Sequence, residues 1–208
     1  MASSPEPDTE LGRDSTTEAL YASAAGLQAM AQWWPLLIGP LAMGAVYVAD
    51  WVDHGSLVSR HTNESLALVL LSIPLVLFLV RAKVLRSELH LFMGLLCLAF
   101  FCREWHFAGT SKGIYVALAL LGLWAVKRKA VLEAAVGRGR LRMWLFATAM
   151  TYLLSQIIAR RVFRYVALPR EAELHVLLEE TVETAAHLMM IAAAIAAWNA
   201  GKQQSADE

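Results

Sequence analysis

The chain has 208 residues, no formal net charge, 58% hydrophobic and only 17% charged residues, and a mean hydropathy of +0.49. That balance excludes an ordinary water-soluble domain and offers no basic field for nucleic acid, so no nucleic-acid partner is expected. The apolar residues fall in blocks approaching the ~20 residues that a helix needs to cross a bilayer, which predicts an all-α, polytopic membrane bundle of about six transmembrane helices with the lipid bilayer as its partner.

Residues 1–31 read as an acidic, disordered tail, with Glu6, Asp8, Glu10, Asp14 and Glu18 against the single base Arg13. The opening MASSPEPDTE lacks the basic segment that precedes the apolar core of a signal peptide, so no cleavage is expected. Residues 19–31, ALYASAAGLQAMA, have the composition of a small interfacial helix. The membrane domain is placed at 32–199, and 200–208 form a short polar tail.

The first predicted span, 33–53, has tryptophans near both ends, as in an interfacial belt. The second, 62–80, contains Pro74, whose missing N–H interrupts the backbone ladder. The third, 88–108, holds the stretch CREWHF, and the fourth, 113–127, is short. The fifth covers 142–162 and the sixth 173–198, closed by Trp198. Cys97 and Cys102 share the third span; five positions apart on a helix they point about 140° away from each other, so no disulfide joins them.

Basic residues set the orientation. Arg81, Lys83 and Arg86, and then the 127–142 loop with KRK and GRGRLR, lie on one side, which is assigned as cytoplasmic. Both termini are then cytoplasmic. The 127–142 loop is basic enough to contact anionic lipid headgroups, although ordinary topogenic charge accounts for the same residues.

Alternating topology brings most other ionisable groups to the opposite face. Asp50, Asp53 and His54 end the first span, and His61 and Glu64 begin the second. Arg103, Glu104 and His106 end the third, and Gln156, Arg160 and Arg161 the fifth. The last span enters with His175, Glu179, Glu180, Glu183 and His187, while His90, near the inner end of the third, is the exception. On a helical wheel Glu179, Glu180, Glu183 and His187 share a stripe about 100° wide, which must face the bundle interior or water rather than lipid.

Three uses of this cluster follow from the residue types. Glu180, Glu183 and His187, completed by Glu104, His106, Glu64 and His61, would form a mixed oxygen and nitrogen shell suited to a divalent transition metal: zinc, manganese or iron. Alternatively, Arg103, Arg160 and Arg161 neutralise Glu64, Glu104 and the last-span carboxylates in a buried ion-pair network, with Arg103 facing a last-span carboxylate. A proton relay is the third use, but His90 and Cys97 offer only a thin track through the inner halves of the spans.

CREWHF and LLEETVE resemble a family of small multi-pass bacterial inner-membrane proteins of unassigned function. Those proteins carry an Arg-Glu-x-Asp-Phe-His-like stretch in one helix and Glu-Glu-x-x-Glu in the last. The resemblance runs from about 61 to 198 and aligns Arg103 and Glu104 with the Arg-Glu pair, and Glu179, Glu180 and Glu183 with the acidic motif. His106 stands where that pattern has an acid, and Ala108 where it has histidine. The resemblance implies a bacterial inner membrane and no particular activity.

Two function classes remain open at this stage. One is a non-catalytic membrane protein whose outward polar cavity, lined by Glu64, Arg103, Glu104, His106, Arg160, Arg161, Glu179, Glu180 and Glu183, binds a small ligand, a lipid headgroup or a partner helix. The other is a metal-dependent, hydrolase-like membrane enzyme with Glu180, Glu183 and His187 as ligands and Glu104 as ligand or general base.

Overall fold

The computed structural model describes residues 32–53, 60–105, 110–137, 140–165 and 170–204. The acidic segment 1–31, with its predicted interfacial helix, and the predicted site residue His106 lie outside them. Among the described residues there are seven α-helices, two 3₁₀ turns and no strand. The α-helices are α1 (Ile38–Asp53), α2 (Arg60–Leu85), α3 (Glu88–Glu104), α4 (Thr110–Lys127), α5 (Lys129–Val136), α6 (Arg140–Ala159) and α7 (Glu171–Gln204).

Each predicted span is therefore a helix, and four segments are long and apolar enough to cross a membrane: Trp34–Val52, Leu66–Leu85, Arg140–Ala159 and Glu171–Trp198. The other two, α3 and α4, are shorter, at 17 and 18 residues. The outward faces carry Val48, Val69, Val76, Val116 and Leu120, all well exposed. A water-soluble bundle would bury such a display, whereas lipid tails match it.

The last helix is the centre of the bundle. It packs against α1, α2 and α6, and 56% of its membrane-length window is buried, against 22–33% for the other three. Its buried row is Leu174, Leu178, Val182 and Ala186, continued by Met190, Ala193, Ala194 and Ala197. The alanines keep the helix thin and let neighbouring backbones approach, the usual source of helix association where lipid removes the hydrophobic drive. The facing side of α6 is also small and polar: Ala147, Thr148, Thr151 and Ser155 are buried. Their hydroxyls are satisfied within α6 itself, where Thr148 donates to the Trp144 carbonyl at 2.7 Å, Thr151 to Ala147 at 2.9 Å and Ser155 to Tyr152 at 2.8 Å. Gly94 plays the corresponding part between α2 and α3, since a Cβ there would meet the Leu79 side chain at 2.7 Å.

Three features differ from the sequence reading. Part of the basic 127–142 stretch is helical: α5 buries Leu132 against the core, and Gly137 ends it at φ 61°, ψ −162°, a conformation that essentially only glycine adopts. Next, α2 runs to Leu85, so Arg81 and Lys83 stand on its final turns rather than in a loop. Hydropathy falls where a charge begins, but long basic stems let a helix continue through it. Finally, α7 continues to Gln204, into the segment read as a polar tail.

Candidate functional site

The site begins at the end of α3. Arg103 follows the apolar run Leu91–Cys102 in the last turn of α3, and its Nη1 donates to Glu183 Oε1 on α7 at 2.6 Å. The Arg103 side chain is 28% exposed and that of Glu183 11%, so this charge-assisted bond lies largely out of water. Glu104 adds a longer contact to the same guanidinium at 3.8 Å. This is the pairing of a third-span arginine with a last-span carboxylate that the sequence led one to expect.

Below Glu183 on the same stripe, His187 is almost completely buried, and its ring meets Tyr152 of α6 edge-on at 5.6 Å. Tyr152 stacks on Phe100 of α3 with centroids 4.7 Å apart. An aromatic layer thus runs from α7 through α6 to α3. Both His187 ring nitrogens and the Tyr152 hydroxyl are buried without a hydrogen-bond partner.

Beyond that layer a cavity of about 370 Å³ opens among α3, α4 and α6. Phe100, Ile114, Leu118 and Leu153 form its apolar walls, and Arg103, Tyr115, Tyr152, Gln156 and Arg160 its polar lining. Arg160 Nη2 donates to the Tyr115 hydroxyl at 3.4 Å. The α6 wheel explains this direction. Leu153, Gln156 and Arg160 lie on one stripe, about 140° from the centre of the Thr148–Thr151–Ser155 row buried toward α7. Arg160 consequently stands outside the carboxylate network to which the sequence assigned it.

Arg161 is a second correction. It turns the chain after α6 in a left-handed conformation, φ 55°. Its Nε and Nη2 donate to the two oxygens of Glu171, in the first turn of α7, at 3.2 and 2.9 Å. The hydrogen bond to Glu171, followed by that carboxylate's charge, raises the Arg161 pKa above its ordinary value. Glu171 also sits where a helix N-terminus favours an anion. Nearby, Arg170 donates to buried Asp50 of α1 at 2.5 Å and binds Glu173 at 2.6 Å. Sequence reasoning missed this pair, which ties the end of α1 to the residue just before α7.

Glu179 and Glu180 are half-buried on the α7 stripe. Glu64 and His61 lie in the first turns of α2, but their side chains, like all of His106, fall outside the described residues. Among the described residues no three His, Cys, Asp or Glu side chains stand close enough to hold a metal ion. Glu180, Glu183 and His187 are spread over about 10 Å of one helix axis. Phe100, Tyr115 and Tyr152, which shape the cavity, gave no signal in the sequence because aromatics in apolar spans are commonplace. Compared with known proteins, the chain matches no family model, no curated protein and no solved structure.

Proposed function

We propose that this is a six-span bacterial inner-membrane protein with both termini cytoplasmic, and that the α3–α4–α6 cavity binds a small molecule or lipid with an acidic head and an apolar body. What carries the reading is the placement of Arg160, with no carboxylate partner among the described residues, beside Gln156 at the edge of an otherwise largely apolar space of about 370 Å³. That volume falls in the range of ligand pockets, about 300–1,000 Å³. Arg103 stands at the same cavity but is engaged by Glu183, which leaves Arg160 as the cation for an incoming anion. The likeness at CREWHF and LLEETVE supports the bacterial inner membrane.

The six-span count draws support from α3 and α4, which with 17 and 18 residues are about 26 and 27 Å long and approach the ~30 Å hydrocarbon core. Reporter fusions that require the cytoplasm should be active at residue 208 and in 128–140, and inactive between 54 and 60. The reverse pattern would invert the orientation and leave the cavity where it is.

The binding reading is tested with a fluorophore-labelled fatty acid titrated into protein in neutral detergent. Wild type should bind saturably, and Arg160→Ala about tenfold more weakly, as loss of a charge-assisted contact requires. Gln156→Leu should weaken binding less. Absence of saturable binding, or equal binding by Arg160→Ala, would remove the proposal.

A further inference from the structure

A second polar site lies at the other end of α3. Arg81 of α2 is only 7% exposed, and its guanidinium lies over the Trp198 ring of α7 at 4.5 Å from the centroid. Its Nε–H is buried without a partner, and no carboxylate among the described residues pairs with it. Stacking on indole attracts a cation but does not neutralise it, so a charge so nearly buried lacks an anion among the described residues. The nearby acid, Glu88, is already committed to a two-pronged ion pair with Arg128.

His90 of α3 is 8% exposed. Its Nδ1 meets the Ser87 hydroxyl at 2.8 Å, its ring lies against Phe78, and its Nε2 is buried without a partner. Two helices therefore bring unpartnered ring or guanidinium nitrogens to one junction, close enough for the Arg81 charge to act on the His90 ring, and Lys83 and Arg86 are exposed where α2 gives way to α3. Arg81 stands four residues before the end of α2, about 6 Å from it along the axis. In a bilayer that sets its Cα about 6 Å inside the end of the apolar span, from which the long arginine stem reaches toward the phosphates, with Trp198 as the interfacial ring.

We infer that the α2–α3 junction binds a phosphate group, held by the Arg81 fork and reached by His90 Nε2, and that an anionic phospholipid supplies it. A guanidinium edge matches phosphate oxygens two at a time, and basic pockets between membrane helices take acidic headgroups. The inference rests on the membrane reading but not on the cavity at the other end of α3.

The test uses full-length protein, delipidated in neutral detergent, with binding followed by native mass spectrometry and thermal unfolding. Phosphatidylglycerol should bind and raise the unfolding midpoint, whereas phosphatidylcholine should do neither. Arg81→Gln should weaken phosphatidylglycerol binding about tenfold or more, and His90→Leu should weaken it as well. Lys112→Gln, which removes an exposed base at the opposite end of α4, should change it by less than about twofold. Inorganic phosphate that reproduces the whole midpoint shift and competes with the lipid would assign the same site to a free anion. Equal binding of the two lipids, wild-type binding by Arg81→Gln, or an equal loss in Lys112→Gln would overturn the inference. Should Arg81→Gln not fold, undiminished binding by His90→Leu would overturn it equally.

Discussion

Arg103→Ala is expected to leave little folded protein in detergent. The substitution strands Glu183, 8% exposed on the central helix, with Glu179 one turn away and no remaining cation to balance it among the described residues. Breaking a buried ion pair from one side costs roughly 3–5 kcal/mol, a large share of the ~5–15 kcal/mol that holds a domain folded. Glu183→Gln should cost less, because Arg103 keeps Glu104 at 3.8 Å and is partly exposed. Adding Glu183→Gln to Arg103→Ala should recover part of the yield, since it removes the stranded charge. Yield from size-exclusion chromatography and the unfolding midpoint decide it. Wild-type values for Arg103→Ala would show that the pair contributes nothing.

His187→Leu is expected to act in the opposite direction and raise the unfolding midpoint. Both ring nitrogens are buried without partners, and each such group costs about 1–3 kcal/mol relative to a satisfied one. Leucine removes both nitrogens at nearly constant volume. It forfeits the edge contact with Tyr152, worth roughly 0.5–1.5 kcal/mol, so the net change favours the variant. A lower midpoint would instead show that the imidazole is hydrogen-bonded in the working protein, by water or by a bound ligand.

The helices were legible because the apolar blocks are long and their ends are marked by tryptophan, proline or charge. The pairing of Arg103 with a last-span carboxylate was legible because topology fixes depth, and a deep arginine has few acids to choose from; which carboxylate, Glu183, was not. Rotation about the helix axis is less readable at a helix end. Arg160 and Arg161 are adjacent and carry the same charge, yet one turns to Tyr115 and the other to Glu171. What separates them is the left-handed turn at Arg161, a backbone event with no glycine to announce it. Helix α5 escaped for a similar reason: KAVLEAAV is amphipathic but sits between basic runs that read as loop. Arg81 was counted as a topogenic charge, and only its contact with Trp198, more than a hundred residues later, shows that it is buried.

The separation of 80 residues between Arg103 and Glu183 has a consequence for synthesis. At about 5–20 residues per second, roughly 4–16 s pass between the appearance of the arginine and that of its partner. Over that interval the third helix carries a cation that no last-helix carboxylate can yet neutralise, and the central helix that organises the bundle does not exist. Until the final segment arrives, α1 and α2 lack the surface against which they pack in the finished bundle. Ribosomes that stop before residue 183 would release chains with this arginine still unmatched, and such chains should be cleared by membrane proteases rather than accumulate.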